Sequence, residues 1–277
     1  TSGVPSGMTD SKIPDVQSGY EKAYNHALVG NSGANLIYES AGMLASLLGF
    51  SLESLLIDND IIGAVQRNTG NDSVVMCAAG TMPGALHVLW RAAAGGYHME
   101  YGFSCMGYEI AGAMGIKMAA PEKDVICMVG DGSYMMANSE LATAVMMGIP
   151  FTLVLTDNRG YGCINRLQKG TGGAAFNNLL DDSYHVNPAQ IDFVAHARSM
   201  GATVVKAGSI AQLETELQAA KTAKIPTVIV IDTEPMPCTG AGGTWWDVAV
   251  PEVSTRAEVN EARKGYEEAT KRQWLVN

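Results

Sequence analysis

The stretch Val125-Ile126-Cys127-Met128-Val129-Gly130-Asp131-Gly132-Ser133 decides the fold of this 277-residue chain. Its first five residues form a continuous apolar run, which is typical of a strand buried on both faces of a parallel sheet. Gly130 and Gly132 follow at once, and they allow the backbone to turn tightly and to approach a ligand closely. Asp131 stands between the two glycines, so its carboxylate is expected to point into a crevice at the end of the strand.

Segments typical of strands and of helices alternate on both sides of this stretch. Short apolar runs predict the strands, and apolar residues at helical spacing predict the helices between them. The strands are expected over 73–78, 125–129, 151–156, 203–206 and 227–231, and the helices over 35–48, 52–65, 83–93, 106–119, 138–147, 191–200, 210–221 and 254–271. Such alternation predicts an α/β fold, in which helices cover both faces of a parallel sheet.

The composition changes along the chain in a way that predicts three parts. Residues 1–35 are polar and rich in Gly, Ser and Asn, which indicates a lead-in or linker. The α/β domain is expected over 36–253, and a charged C-terminal helix and tail over 254–277. The sequence begins with Thr1 rather than Met, which favours a processed or truncated piece of a longer protein.

Composition and charge exclude several classes of function. The net charge of -10 argues against nucleic acid or an anionic membrane surface as a partner. No apolar run reaches the roughly 18 residues that a membrane-spanning helix needs, and no secretory signal segment is recognisable. The five Cys residues are scattered and form no CxxC pair. They are expected to be buried free thiols in a reducing compartment, which favours the cytoplasm.

A second unusual loop follows the next predicted strand and reads Asp157-Asn158-Arg159-Gly160-Tyr161-Gly162. Ligands of parallel sheets bind beyond the carboxyl ends of the strands, where the loop at Ala79-Gly80 is also expected. The Asp131 carboxylate, the Asn158 amide oxygen and the Gly160 carbonyl can therefore meet on one ion. One or two carboxylates together with phosphate oxygens are the ligands typical of Mg²⁺ bound to a diphosphate. Each loop alone is more typical of a surface turn, but the pair favours a site.

Gly130-Asp131-Gly132, separated by 24 residues from Asp157-Asn158, resembles the signature of the thiamine-diphosphate enzymes. The resemblance implies their diphosphate-binding α/β fold, with thiamine diphosphate and Mg²⁺ as cofactors. The metal ligands implied are Asp131, Asn158 and Gly160. The cofactor-binding residues implied are Ala79, Gly80, Ser104, Met106, Gly130, Asp131, Gly132, Ser133, Asn158, Gly160, Tyr161 and Gly162.

The segment 100–113, which begins Glu100-Tyr101-Gly102-Phe103-Ser104-Cys105-Met106-Gly107, resembles the part of this family that holds the pyrimidine ring. By that resemblance the Ser104 carbonyl and the Met106 N–H bond the aminopyrimidine, and the Met106 side chain supports the bent cofactor. Without the neighbouring loops, Met106 would be interpreted as an ordinary core methionine.

Several longer stretches of the sequence are similar to the trihydroxycyclohexane-1,2-dione hydrolases of myo-inositol breakdown. The similarity covers about residues 60–275 and is closest over 97–107, 129–139, 162–168, 244–248 and 251–254. It implies hydrolytic C–C bond cleavage that opens the ring of a cyclic polyol dione. His98 and Glu100 are the candidate catalytic or substrate-contacting residues, although a lone His is more often structural.

The glutamate that activates the cofactor comes, in this family, from a separate pyrimidine-binding domain, usually of a neighbouring subunit. The sequence shows one α/β unit, and Glu39 lacks the context of that glutamate. The chain is therefore expected to supply half of an active site in a homo- or hetero-oligomer. Two alternatives stay open. One is an acetohydroxyacid-synthase-like enzyme, although that family often has a Pro where this chain has Glu109. The other is a non-catalytic subunit. A dinucleotide site is excluded because GxGxxG is absent after the first strand.

Overall fold

The computed structural model describes residues 3–5, 36–38, 52–100, 105–187, 189–235 and 249–271. The contacts of the chain divide it into two units. One comprises Thr1–Gly49, Ile164–Ala175 and Gly240–Asn277, and the other comprises Phe50–Cys163 and Phe176–Thr239. The main sheet lies in the second unit. The predicted boundaries at residues 35 and 253 stay a prediction.

Strands and helices alternate through most of the described chain. In order they are β1 (Gly3–Pro5), β2 (Leu36–Tyr38), α1 (Leu52–Arg67), β3 (Ser73–Cys77), α2 (Thr81–Leu89), β4 (Tyr97–Met99), α3 (Tyr108–Ala119), β5 (Asp124–Gly130), α4 (Asp131–Met136), α5 (Glu140–Met147), β6 (Thr152–Asp157), α6 (Gly162–Gly170), α7 (Phe193–Ser199), β7 (Thr203–Ala207), α8 (Ile210–Ala220), β8 (Thr227–Asp232) and α9 (Ala257–Thr270). A 3₁₀ turn lies at Leu180–Asp182.

The main sheet has six parallel strands in the order β4-β3-β5-β6-β8-β7, which confirms the predicted fold class. After β3 the chain runs to β4 at one edge and then returns to β5 on the other side of β3. The strand order therefore reverses between β3 and β5. Such a reversal directs the two following loops apart and opens a crevice at the carboxyl ends of the strands.

The sheet is buried on both faces, and alternate residues of β5 point to opposite sides of it. Ile126 and Met128 belong to a core cluster that includes residues of α1, α2 and α8. Val125, Cys127 and Val129 belong to a second cluster with residues of α3, α4, α5 and α7. Two buried faces require apolar side chains in both directions, and this explains the continuous apolar runs in the sequence.

The first unit departs from the sequence-based prediction. The strands β1 and β2 pair in parallel, from Gly3 with Leu36 to Pro5 with Tyr38. The helix predicted over 35–48 is therefore wrong at Leu36–Tyr38, and its remainder lies outside the described residues. A short apolar run with Ile and Tyr suits a strand as well as a helix, and periodicity alone does not distinguish them.

Most other predicted elements agree with the structure to within four residues, but β1, β4, α4 and α6 were not predicted. The strand β4 has three residues, Tyr97, His98 and Met99, which is too short for an alternating pattern to be visible. Two of the four described cysteines, Cys77 and Cys127, are buried, while Cys105 is exposed; all four are free thiols. None of the described helices is long and apolar enough to cross a membrane.

Candidate functional site

The loops that follow β5 and β6 meet at the Asp131 carboxylate. The two strands are neighbours, with Gly130 opposite Thr156, so their carboxyl ends lie side by side. Asp131 is only 5% exposed. The main-chain N–H of Gly160 donates to its Oδ2 at 2.9 Å, and that of Asn158 donates to its Oδ1 at 3.3 Å. The two loops are thus joined through this one side chain.

The side-chain amide of Asn158 lies between Asp131 and Gly160. One terminal atom of the amide is 3.1 Å from Asp131 Oδ1 and 2.8 Å from the Gly160 carbonyl oxygen, and the structure has the amide oxygen at this position. In that orientation the amide oxygen faces only acceptors, so the metal-free chain favours the opposite orientation of the amide. A half-turn of the amide would instead bring its NH₂ group there, and the NH₂ group would donate to both oxygens.

Burial dominates the electrostatics of Asp131. It raises the pKa of the carboxyl to about 6, although the N–H groups of Asn158, Gly160 and Gly132 lower it. Removal from water disfavours the ionised form, and the nearby charge of Asp157 raises the pKa further. A bound cation would stabilise the ionised carboxylate against both effects.

The loop at Asp157–Gly160 is fixed on its outer side as well. Asp157 Oδ1 accepts the N–H of Arg159 at 3.1 Å, and Gly160 forms an isolated antiparallel bridge with Leu179. The Tyr161 N–H donates to the Asn178 carbonyl at 2.7 Å. Gly160 has a φ of 150°, a conformation that side chains strongly disfavour. The carbonyl of Gly160 is therefore held in one position by hydrogen bonds on both sides of the residue.

The two glycines of the Gly130-Asp131-Gly132 loop differ in their surroundings. A Cβ atom at Gly130 would meet nothing within 4 Å, whereas one at Gly132 would lie 2.6 Å from the ring of Tyr161. Gly132 therefore allows the Tyr161 ring to pack against the loop. The open space at Gly130 is available to a ligand that approaches the backbone closely.

A second cluster surrounds the buried carboxylate of Glu109, which is 1% exposed. The Ser133 hydroxyl lies 2.6 and 2.7 Å from its two oxygens and donates to them. The Gly107 N–H donates to Glu109 Oε2 at 2.9 Å and to Ser133 Oγ at 2.8 Å, and the main chain of Ala79 also bonds the carboxylate. Burial raises the pKa of Glu109, and these hydrogen bonds lower it.

The sequence analysis did not identify Glu109 as a site residue. Its signal is an acidic residue in the first turn of an otherwise apolar helix start, Tyr108-Glu109-Ile110-Ala111. Ser133 was expected to bind a diphosphate, but in the structure its hydroxyl donates to Glu109. The diphosphate role of Ser133 stays a prediction.

The remaining candidates lie near the start of α3. His98 Nε2 is 3.1 Å from the Tyr108 hydroxyl, and their rings stack with centroids 5.9 Å apart. Glu100 Oε2 accepts the Cys105 N–H at 2.7 Å, next to Met106. Met106 is half-buried and precedes α3, Gly80 caps the start of α2, and Gly162 begins α6. Ser104 and Glu39 lie outside the described residues.

A metal site made only of charged side chains is not available in the described part of the chain, which holds no cluster of three or more His, Cys, Asp or Glu side chains suited to a metal. A cation would depend on one carboxylate together with amide and main-chain oxygens. Asp131, Asn158 and Gly160 offer that combination of ligands at one point.

Two family models match the chain. The model of the thiamine pyrophosphate enzyme C-terminal TPP binding domain matches residues 78–231, which is more than half of the chain. The model of trimethylamine methyltransferase (MTTB) matches residues 3–88. That second match covers less than a third of the chain, and much of it lies outside the described residues.

Curated relatives are named 3D-(3,5/4)-trihydroxycyclohexane-1,2-dione hydrolase. The protein from Geobacillus thermodenitrificans is 39% identical over 249 residues, which cover 86% of this chain and 39% of the relative. One from Bacillus cereus is 40% identical over 219 residues, which cover 76% of this chain and 34% of the relative. The chain thus spans between a third and two fifths of the length of these relatives.

Solved structures share the fold. Benzoylformate decarboxylase from Polynucleobacter necessarius superposes with a TM-score of 0.58 at 17% identity, over 65% of this chain and 34% of that chain. The 4-hydroxybenzoylformate decarboxylase of Rhodococcus jostii gives 0.56 at 22% identity, over 69% of this chain and 34% of that chain. The family model, the parallel sheet and the paired loops lead to one conclusion: the chain belongs to the thiamine pyrophosphate enzymes and carries their C-terminal cofactor-binding domain.

Proposed function

We propose that this chain supplies the diphosphate- and Mg²⁺-binding half of an enzyme that opens the ring of a trihydroxycyclohexane-1,2-dione by hydrolytic C–C cleavage. The names of relatives at 39% and 40% identity support the substrate. The family model supports thiamine diphosphate as the cofactor. The observation that carries the metal is the convergence of the Asp131, Asn158 and Gly160 oxygens.

The kinds of ligand atom favour Mg²⁺, which binds hard oxygen ligands with only one or two carboxylates. With its oxygen inward, the Asn158 amide lies 2.8 Å from the Gly160 carbonyl oxygen and 3.1 Å from Asp131 Oδ1. Asp131, Asn158 and Gly160 would then hold the cation, and diphosphate and water oxygens would complete its ligands.

Thiamine diphosphate, when bound, supplies a thiazolium carbon that attacks a carbonyl group. This chain contributes the binding and orientation. Asp131, Asn158 and Gly160 would hold the cation, and the open space at Gly130 would admit the diphosphate. His98 and the Tyr108 hydroxyl, 3.1 Å apart, can pass a proton between them and are the candidates for contact with a polyol substrate.

The other half of the site would come from a pyrimidine-binding domain that carries the activating glutamate. This proposal is supported by the share of each relative that the chain spans, 39% and 34%. The partner domain would belong to a longer form of the same polypeptide or to a separate subunit, and the cofactor would lie between the two in an oligomer.

The proposal is tested first by calorimetry and then by product analysis. Thiamine diphosphate titrated into the chain should bind only when Mg²⁺ is present. A mixture with the part of the Geobacillus relative that this chain does not cover should then convert the cyclic dione to an open-chain acid and leave pyruvate unchanged. Consumption of pyruvate would favour the acetohydroxyacid-synthase-like alternative, and cofactor binding without turnover of either substrate would favour a non-catalytic subunit.

Binding of the metal is expected to weaken in mild acid. Because burial raises the pKa of Asp131 to about 6, a proton competes with the cation below that pH. The apparent affinity for Mg²⁺ with thiamine diphosphate should fall about tenfold for each pH unit below the pKa and level off above it. Calorimetry between about pH 5 and pH 8 measures this, and an affinity that stays constant across the range would contradict the proposed role of Asp131.

A further inference from the structure

We propose that Glu109 is a positioning residue, whose buried carboxylate ties together three segments around the cofactor site. The segments are the turn after β3 at Ala79, the start of α3 at Gly107 and the helix α4 at Ser133. The inference rests on the proposed cofactor and metal site, because it assigns to Glu109 the task of keeping that site in shape.

The geometry shows one acceptor shared by donors from all three segments. Glu109 accepts the Ser133 hydroxyl at 2.6 and 2.7 Å and the Gly107 N–H at 2.9 Å, together with the main chain of Ala79. The Gly107 N–H also donates to Ser133 Oγ at 2.8 Å, which closes a small ring of hydrogen bonds. Ser133 is two residues from Asp131, so the ring ends next to the proposed metal ligand.

The topology explains why such a connection is needed. The loops after β3 and β5 leave the sheet where the strand order reverses, and they diverge from each other. Backbone ladder bonds hold the strands together but end with the strands. Glu109 joins the two segments, because the Ser133 hydroxyl and the main chain of Ala79 both bond its carboxylate.

Simple helix capping does not account for all of this arrangement. A carboxylate in the first turn of α3 satisfies the Gly107 N–H and interacts well with the helix dipole. An exposed carboxylate would cap the helix equally well, without the unfavourable free energy of burying a charge. Glu109 is instead buried, and its shortest contacts are to Ser133, which belongs to another helix, α4.

The chain offers a matched control at the other end of the same sheet. Asp124, at the start of β5, accepts the Ser73 hydroxyl at 3.2 Å, and burial raises its pKa as it does that of Glu109. This carboxylate lines a cavity of about 350 Å³ at the amino ends of the strands. It thus has the same chemistry as Glu109 but lies away from the proposed site.

The test compares Glu109→Gln with Asp124→Asn by calorimetry of thiamine diphosphate in the presence of Mg²⁺. Glutamine keeps the size of the side chain but replaces one acceptor oxygen with an NH₂ group, which cannot accept from Gly107 or Ser133. Partners that orient a metal site without touching the metal typically change affinity by about 10- to 100-fold. We expect a loss of that size in Glu109→Gln and a change of less than about twofold in Asp124→Asn.

A second measurement covers the case in which Glu109→Gln does not fold. Hydrogen exchange of the wild-type chain without cofactor should show slow exchange at the Gly107 amide, because Glu109 Oε2 already accepts its N–H at 2.9 Å. A Gly107 amide that exchanges as fast as those of exposed loops would overturn the inference. Equal affinities of Glu109→Gln and the wild type, or equal losses in both variants, would also overturn it. Failure of the wild-type chain to bind cofactor would instead contradict the proposed function.

Discussion

Replacing Asp131 with asparagine is expected to abolish Mg²⁺-dependent binding of thiamine diphosphate, with a loss of more than about 100-fold in affinity. Loss of a group that merely orients a metal ligand weakens affinity by about 10- to 100-fold, and loss of the one charged ligand should exceed that. Asp131 is the only carboxylate among the three converging oxygens. Titration calorimetry at about pH 8, where the carboxyl is ionised, measures the effect.

The same variant should leave the metal-free fold at least as stable as the wild type. Burial raises the pKa of Asp131 from 3.8 to about 6. Because its pKa is higher in the folded than in the unfolded chain, the stability from its protonated form is complete below about pH 4 and is lost as the pH rises through about 6. At neutral pH the charge of Asp131 therefore lowers the free energy of unfolding of the metal-free chain, and asparagine carries no charge. Thermal unfolding without metal should show an unchanged or higher midpoint.

Asp232→Asn is the control for this prediction. Asp232 ends β8 opposite Asp157, at the same edge of the sheet, but it is exposed and pairs with Lys206 at 2.9 Å. Its removal should change neither cofactor affinity nor the unfolding midpoint, since exposed ion pairs contribute little to stability. Asp131→Asn with wild-type affinity, or Asp232→Asn with an equal loss, would contradict the assignment of the metal ligands.

Gly160→Ala is expected to lower the stability of the chain by about 3 kcal/mol, through backbone strain and overpacking together. The added Cβ would lie 2.4 Å from the Asn178 carbonyl oxygen and 2.9 Å from Leu179 Cα. Both are main-chain atoms of a bridged segment, so neither can move away as a flexible side chain would. Relief of the clash would break the bridge and displace the Gly160 carbonyl, and cofactor binding would be lost as well. Differential scanning calorimetry should show a midpoint lower by about 10 °C.

Gly130→Ala provides the opposite outcome in the same site. Gly130 has a φ of -79°, which alanine adopts readily, and its added methyl would meet nothing within 4 Å. The unfolding midpoint should therefore stay within about 2 °C of the wild type. The methyl would occupy the space proposed for the diphosphate, so the affinity for thiamine diphosphate should fall. An affinity for thiamine diphosphate equal to that of the wild type would show that the open space has no connection with the ligand.

The central part of the fold could be predicted because burial on both faces leaves a simple pattern. The strands β5, β6 and β8 carry continuous apolar runs, and each lies between two other strands of the sheet. The strand β4 lies at an edge and has only three half-buried residues, so tertiary pairing with β3 rather than its own pattern defines it. Leu36–Tyr38 was assigned to a helix because three apolar residues carry no period of their own.

The two loops of the site could be predicted for a related reason. Gly130-Asp131-Gly132 and Asp157-Asn158 directly follow buried strands, and parallel strands bring their carboxyl ends to one edge. Glu109 could not be found in this way. Its role depends on contacts with Ser133, 24 positions later, and with Ala79, 30 positions earlier, and helical periodicity does not report the distance between two loops.

Without a metal, the amide of Asn158 is satisfied with its NH₂ group inward, where it donates to Asp131 Oδ1 at 3.1 Å and to the Gly160 carbonyl at 2.8 Å. With its NH₂ group inward, the amide links the carboxylate and the carbonyl that would otherwise repel each other. With its oxygen inward, it presents a third ligand to an arriving ion. The two orientations of the amide differ by rotation about a single side-chain bond, so the surrounding backbone need not reorganise. Little conformational entropy is therefore lost when the cation and cofactor bind. The loop would keep its shape between the departure of one cofactor and the arrival of the next.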